Sequence, residues 1–172
     1  LGKRLKSVDF EAIFSSPSGR TQETTHLIRG EREIPVIYDD HLKEIHKGEW
    51  EGKVRKDIEG KYPNEFYAFW NDPVNYSPIG GETFEELRVR AEKVLQRIKE
   101  EIPSGNVLIV THAIMIKTLF TIFKGKSVKK LWDPPFIHDT SLTVVEVTED
   151  GSKIVIEGDV SHKEAPKLMG EK

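Results

Sequence analysis

The chain has 172 residues, 37% of them hydrophobic and 32% charged, with a net charge of −3 and no cysteine. That is the size of one domain able to bury about two thirds of its unfolded surface. The small charge leaves no footprint for a nucleic-acid partner, and the lack of cysteine excludes disulfides, thiolate chemistry and Cys-type metal sites and suits a reducing compartment.

The N-terminal stretch "LGKRLKSVDF" reads as the last turns of a helix, because Leu1 and Leu5 are four residues apart on one face. It is either a short N-terminal helix or the end of a longer piece of the fold. Ala12 to Ser16 is short, apolar and bounded by Pro17, which predicts a buried strand. A helix is expected over Ser18 to Ile28, with Ser16 or Ser18 as its N-cap. Pro35 to Tyr38 predicts a second short strand, and the glycine-punctuated "DDHLKEIHKGEWEG" a loop. Two short helices are expected at Lys53 to Lys61 and Asn64 to Trp70, broken by Pro63, before a loop with two prolines and a Gly-Gly pair. Thr83 to Ile102 carries the clearest helical signal. Thr83 with Glu86 three residues on forms a capping box, Leu87, Ala91, Val94, Leu95 and Ile98 make one apolar stripe, and Pro103 and Gly105 end it.

Val107 to Val110 is a continuous apolar run, as expected of a strand buried on both faces of a parallel sheet. An apolar helix over Ala113 to Phe123 follows, then a helical piece at Val128 to Trp132. A hairpin closes the pattern, with strands at Ser141 to Val147 and Lys153 to Glu157 joined through "EDGS". This order predicts an α/β fold, a three-layer α/β/α sandwich with a mostly parallel sheet, in one domain spanning residues 1–172. No apolar run approaches the roughly 20 residues of a membrane span and no signal-peptide pattern opens the chain. A cytoplasmic protein with no membrane partner is expected.

Two strand ends look alike. "AIFSSP" runs into a helix carrying Arg20, and "VLIVTH" runs into a helix at His112. Ligands of open α/β sheets gather outside the carboxyl ends of the strands, where helix N-termini present free N–H groups. An arginine and a histidine added there make an anion pocket, with phosphate the natural occupant. Taken singly, Arg20 also fits a solvated helix arginine and His112 a buried capping histidine; the equivalent positions of the two favour the pocket. Glu44 is a third candidate. It shares its loop with Glu49 and Glu51, so a plain solvated charge fits it too, while Leu42 and Ile45 beside it predict a partly apolar setting suited to a general acid.

The combination of "SSPSGRTQET", "LKEIHKGEWEG", "GGET", "VLIVTHA" and "GDVSH", in this order over the whole chain, resembles the histidine phosphatase, or phosphoglycerate mutase-like, superfamily. Within it the chain is most similar to the broad-specificity phosphatases of bacilli. The resemblance implies that Arg20 binds the transferring phosphoryl group, that His112 stabilises its equatorial oxygens, and that Glu44 protonates the leaving alcohol. It further implies that the N–H of Ala113, where the family usually has glycine, contacts the phosphate, with Glu82 in a supporting or substrate-binding role. No metal or other cofactor is implied, and the partner is a small phosphate ester.

One departure stands out. The family nucleophile lies in an Arg-His-Gly motif at the end of a first strand, and none of the six histidines here (His26, His41, His46, His112, His138, His162) follows an arginine. The fold is therefore expected to lack its first strand, phosphate loop and most of a helix, at least about 25–30 residues at average element lengths. Three functions follow: a phosphatase working through phosphohistidine, a phosphoglycerate mutase, or a phosphate-binding module without catalysis. The stretch between the glutamate loop and Gly-Gly-Glu is short and carries Phe66, Phe69, Trp70 and Tyr76. These read either as an aromatic lid suited to varied organic phosphates or as core. The C-terminal hairpin offers an edge for a homodimer.

Overall fold

The computed structural model describes residues 1–163; residues 164–172, the last of the expected domain, lie outside the described residues. Three parallel strands form the central sheet: β1 (Ala12–Ser15), β2 (Val36–Tyr38) and β3 (Val107–Val110), in the order β2-β1-β3. The register sets Ser15 beside both Tyr38 and Val110. All four residues of β1 are buried, as its uninterrupted apolar run requires. In β3 only Val110 is buried, and Val107 to Ile109 are partly buried against the core, so this strand is less covered than its composition predicts.

The alternation of β1 divides the core. Ala12 and Phe14 pack with Leu42 and Val94 on one face, and Ile13 packs with Ile34 and Val110 on the other. Helix α1 (Gly19–Arg29) covers the second face, where Thr25 Oγ1 donates to Ser15 Oγ. Helix α4 (Phe84–Glu101) covers the first and has the expected capping box at Thr83 and Glu86. Its Leu87, Ala91 and Val94 are buried, a stripe worth about 1.5–3 kcal/mol for each large side chain removed from water. Helix α5 (Ala113–Phe123) packs on α4 and is buried nearly all round. Its one lysine, Lys117, donates to the carbonyls of Asp133 and Pro135.

Helices α2 (Arg55–Lys61) and α3 (Pro63–Asn71) meet at Tyr62. Pro63 begins α3 rather than interrupting it, since a first-turn N–H has no intrahelical acceptor to lose. Phe69 and Tyr76 are core, packed with Trp50, Phe84 and Trp132. Trp70 lies at the exposed edge of that cluster against Trp132. Packing therefore explains most of these aromatics without a lid.

Strands β4 (Leu142–Thr148) and β5 (Gly151–Asp159) form an antiparallel hairpin that is a sheet of its own, closed by a two-residue turn within the expected segment. Two expected helical pieces are smaller than the sequence suggests. The N-terminal stretch makes a turn at Leu1–Leu5 that buries Leu5, and the Val128 segment is a single 3-10 turn, Val128–Lys130. Among the described residues no helix is long and apolar enough to cross a membrane.

Candidate active site

Strands β1 and β3 lie side by side, and their chains leave the sheet toward opposite faces, β1 into α1 and β3 into α5. This divergence opens a crevice at the carboxyl end of the sheet. Ser16 and His112 stand at its two lips, tied by the bond from Ser16 N to Val110 O at 2.9 Å.

His112 is 5% exposed and has a partner on each ring nitrogen. Arg20 approaches Nδ1 with Nε at 3.0 Å and Nη2 at 2.6 Å, and Ser16 Oγ lies 2.8 Å from Nε2. A guanidinium only donates, so Nδ1 is the acceptor; the ring proton then sits on Nε2 and is given to Ser16 Oγ. The Ser16 hydroxyl in turn donates to Ser18 Oγ at 3.2 Å. Ser18 does occupy the N-cap position of α1, but no side-chain cap bond forms there. Burial, the positive charge of Arg20 and that of Arg90 lower the His112 pKa to about 4, so the imidazole is neutral at pH 7.

Glu44 reaches the same place from the loop after β2. Its carboxylate accepts from Ile114 N and Met115 N, both at 3.2 Å, and from Ile45 N at 3.1 Å. The N–H groups of Ile114 and Met115 belong to the first turn of α5, where intrahelical acceptors are missing and the dipole favours an anion. Leu42 and Ile45 are buried as expected, but the groups that meet the carboxylate are peptide N–H donors. The loop is pinned to β3 by Thr111 Oγ1, which donates to Leu42 O at 2.6 Å. Ala113 is exposed at the head of α5, and its N–H has no acceptor among the described residues.

Glu82 arrives on a different support. Gly48 and Gly81 let two loops touch backbone to backbone: a Cβ on Gly81 would lie 2.6 Å from His46 O, and one on Gly48 2.1 Å from Ile79 O. Across that contact Glu82 N donates to His46 O at 2.7 Å and Glu49 N to Ile79 O at 3.0 Å. The Glu82 carboxylate is taken by Arg90, whose Nε and Nη2 donate to its two oxygens at 2.6 and 2.9 Å. Sequence reasoning missed Arg90. Its available signal was the spacing: eight residues after Glu82, it lies about two helical turns into α4 and so faces back toward the helix start. Ser16, Arg20, His112 and Glu44 thus share one crevice, while Glu82 is reached through Arg90. At the opposite end of the chain, Arg4 pairs with Asp159 and contacts Ser161 and His162, which ties the "GDVSH" segment to the N-terminal turn.

Comparison with known proteins gives the family. A solved structure of Bacillus stearothermophilus YhfR is 43% identical and superposes with a TM-score of 0.90 over 94% of this chain and 80% of that one. Phosphoserine phosphatase 1 of Hydrogenobacter thermophilus is 26% identical over 77% of this chain and 63% of its own length. The adenosylcobalamin/alpha-ribazole phosphatase of Escherichia coli is 27% identical over 74% and 63%. The chain therefore spans a little under two thirds of the length of these two curated relatives. The family model of the histidine phosphatase superfamily (branch 1) matches residues 1–159. With that match over nearly its whole length, the chain belongs to the histidine phosphatase superfamily.

Proposed function

We propose that this chain carries the phosphoryl-binding and proton-donating groups of an enzyme that hydrolyses small organic phosphomonoesters through a phosphohistidine. What supports the proposal is the hydrogen-bonded convergence of Arg20, His112 and Glu44 at the head of α5. In the free site Arg20 spends two donors on His112. A phosphoryl oxygen entering between them takes these donors over, and the exposed Ala113 N–H adds a third. Charge developing on the equatorial oxygens is met by a fixed cation and preorganised N–H groups, which need no reorganisation as the bond breaks. Glu44, held at the edge of the same crevice, acts as the general acid in its protonated form: its carboxyl proton passes to the departing alcohol oxygen and leaves the carboxylate on the N–H groups of α5. Glu82 supports the loop rather than the phosphoryl group, because its carboxylate accepts from Arg90 and from His46 N and has no donor to offer a phosphoryl oxygen.

The nucleophile is assigned to none of the six histidines present. His112 is committed on both nitrogens, and in-line attack is the task of the family's Arg-His-Gly histidine. A mutase would use the same groups but retain the phosphoryl group, and a binding module would stop at capture. The cytoplasm is the proposed location, where small phosphate esters are the partners.

The test is turnover of para-nitrophenyl phosphate, beside isomerisation of 3-phosphoglycerate, by this chain and by the same chain preceded by a strand ending in Arg-His-Gly. Hydrolysis by the extended protein, with little or none by the chain alone, is expected. Isomerisation would favour the mutase, inactivity of both proteins the binding module. Equal hydrolysis by both would place the nucleophile within these residues and overturn the mechanism.

A further inference from the structure

Building on the phosphatase proposal, we infer that Arg90 is the positioning residue that seats the Glu44 carboxylate on the first turn of α5. A guanidinium has five N–H donors in a rigid fork, and here all five are taken. Nε and one hydrogen of Nη2 bind the Glu82 carboxylate at 2.6 and 2.9 Å. Nη1 donates to His41 O at 2.6 Å and Lys43 O at 2.7 Å, and the second hydrogen of Nη2 goes to Glu44 O at 3.1 Å. No donor remains for a phosphoryl oxygen, so Arg90 acts through the loop and not on the substrate.

The loop needs this support. After the 3-10 turn Asp40–Leu42 the backbone from 43 to 47 runs in no helix or strand, so it has no ladder of its own. Arg90 gathers two of its carbonyls, those of Lys43 and Glu44, together with that of His41 in the turn before it. Glu82 holds it just beyond, accepting from His46 N at 3.3 Å while its own N–H reaches His46 O at 2.7 Å. Glu44 is thus gripped on both sides, by Arg90 from within α4 and by Glu82 from just before it, and its side chain has only the width of the crevice to cross to Ile114 and Met115. The Glu82 carboxylate also supplies the counter-charge that lets a guanidinium only 16% exposed sit there. A lysine at this position has three donors on a point charge and cannot hold the carboxylate in a fork while serving three carbonyls.

The experiment is amide hydrogen exchange at Ile114 and Met115. Both lie in the first helical turn, so Glu44 is the acceptor of each, and their rates report its seat without any turnover. Glu44→Ala sets the rate for an empty seat. Arg90→Lys should accelerate these two amides roughly tenfold, toward the Glu44→Ala rate, for the loss of about one hydrogen bond's worth of protection at each. Amides of β1 and β3 should keep their rates. Wild-type rates at Ile114 and Met115 would overturn the inference, as would equal acceleration in β1 and β3, since that would make Arg90 a general brace of the fold. Arg90→Ala is the harsher variant, and the lysine form carries the test if it fails to fold. Failure of the phosphatase proposal would show in turnover, whereas failure here would show in exchange.

Discussion

His112 is neutral because it is buried, because Arg20 donates into its ring and because Arg90 stands near, with burial the largest cause. The pH dependence follows from linkage. Below pH 6.5 the unfolded chain takes up a proton that folded His112 refuses until about pH 4. The contribution of this residue to stability is therefore complete above 6.5 and is lost as the pH falls from 6.5 toward 4. An NMR titration of its ring should show a midpoint near 4. Arg20→Gln should move that midpoint up, because a positive neighbour is gone, but leave it below 6.5, because burial remains. A wild-type midpoint at the ordinary histidine value would mean that the ring is neither buried nor facing Arg20 in solution.

Among the elements, the contact between the two glycine-bearing loops sets the position of the carboxylates as firmly as any helix does. Gly48 has a φ of +58°, and both it and Gly81 lack room for a Cβ against the facing backbone. The obstructing atoms are peptide atoms of the other loop, which cannot rotate aside as a side chain can. Gly81→Ala should accordingly push the Glu82 segment away from His46 and cost more than about 1 kcal/mol in urea unfolding. Thr83→Ala, two residues on, removes an N-cap and should cost about 1 kcal/mol while leaving the loop contact in place. If Gly81→Ala unfolds at the wild-type urea concentration, the two loops are not in backbone contact in solution.

Across the molecule, the two sheets are tied in differently. Strands β1, β2 and β3 share a ladder, and β1 is buried throughout. The β4–β5 hairpin pairs with no strand of that sheet. Its ties to the rest include a Lys124–Glu157 ion pair, the Ser152 hydroxyl on Phe123 O and the Arg4–Asp159 pair. Ion pairs at such partly exposed sites contribute little. Native-state hydrogen exchange should therefore find the amides of β4 and β5 opening more readily than those of β1, as a separate unit of lower stability. Equal protection in the hairpin and in β1 would show that the two sheets open as one.

Local chemistry was legible in the chain. The capping box and apolar stripe of α4, the unbroken apolar runs of β1 and β3, and the helix after each of those strands follow from neighbours within a few residues. The tertiary structure decided where hydrogen bonds between distant segments go. Ser16 read as a cap, yet its hydroxyl serves His112, 96 residues away. Glu44 read as a carboxylate among apolar neighbours, yet α5 supplies its N–H partners 70 and 71 residues on. Arg90 carried only a spacing signal, because its role depends on carbonyls 46 to 49 residues earlier in an irregular loop. Periodicity and caps are properties of adjacent residues, whereas a donor's partner across the fold is set by which backbones cross, and here two glycines allow that crossing.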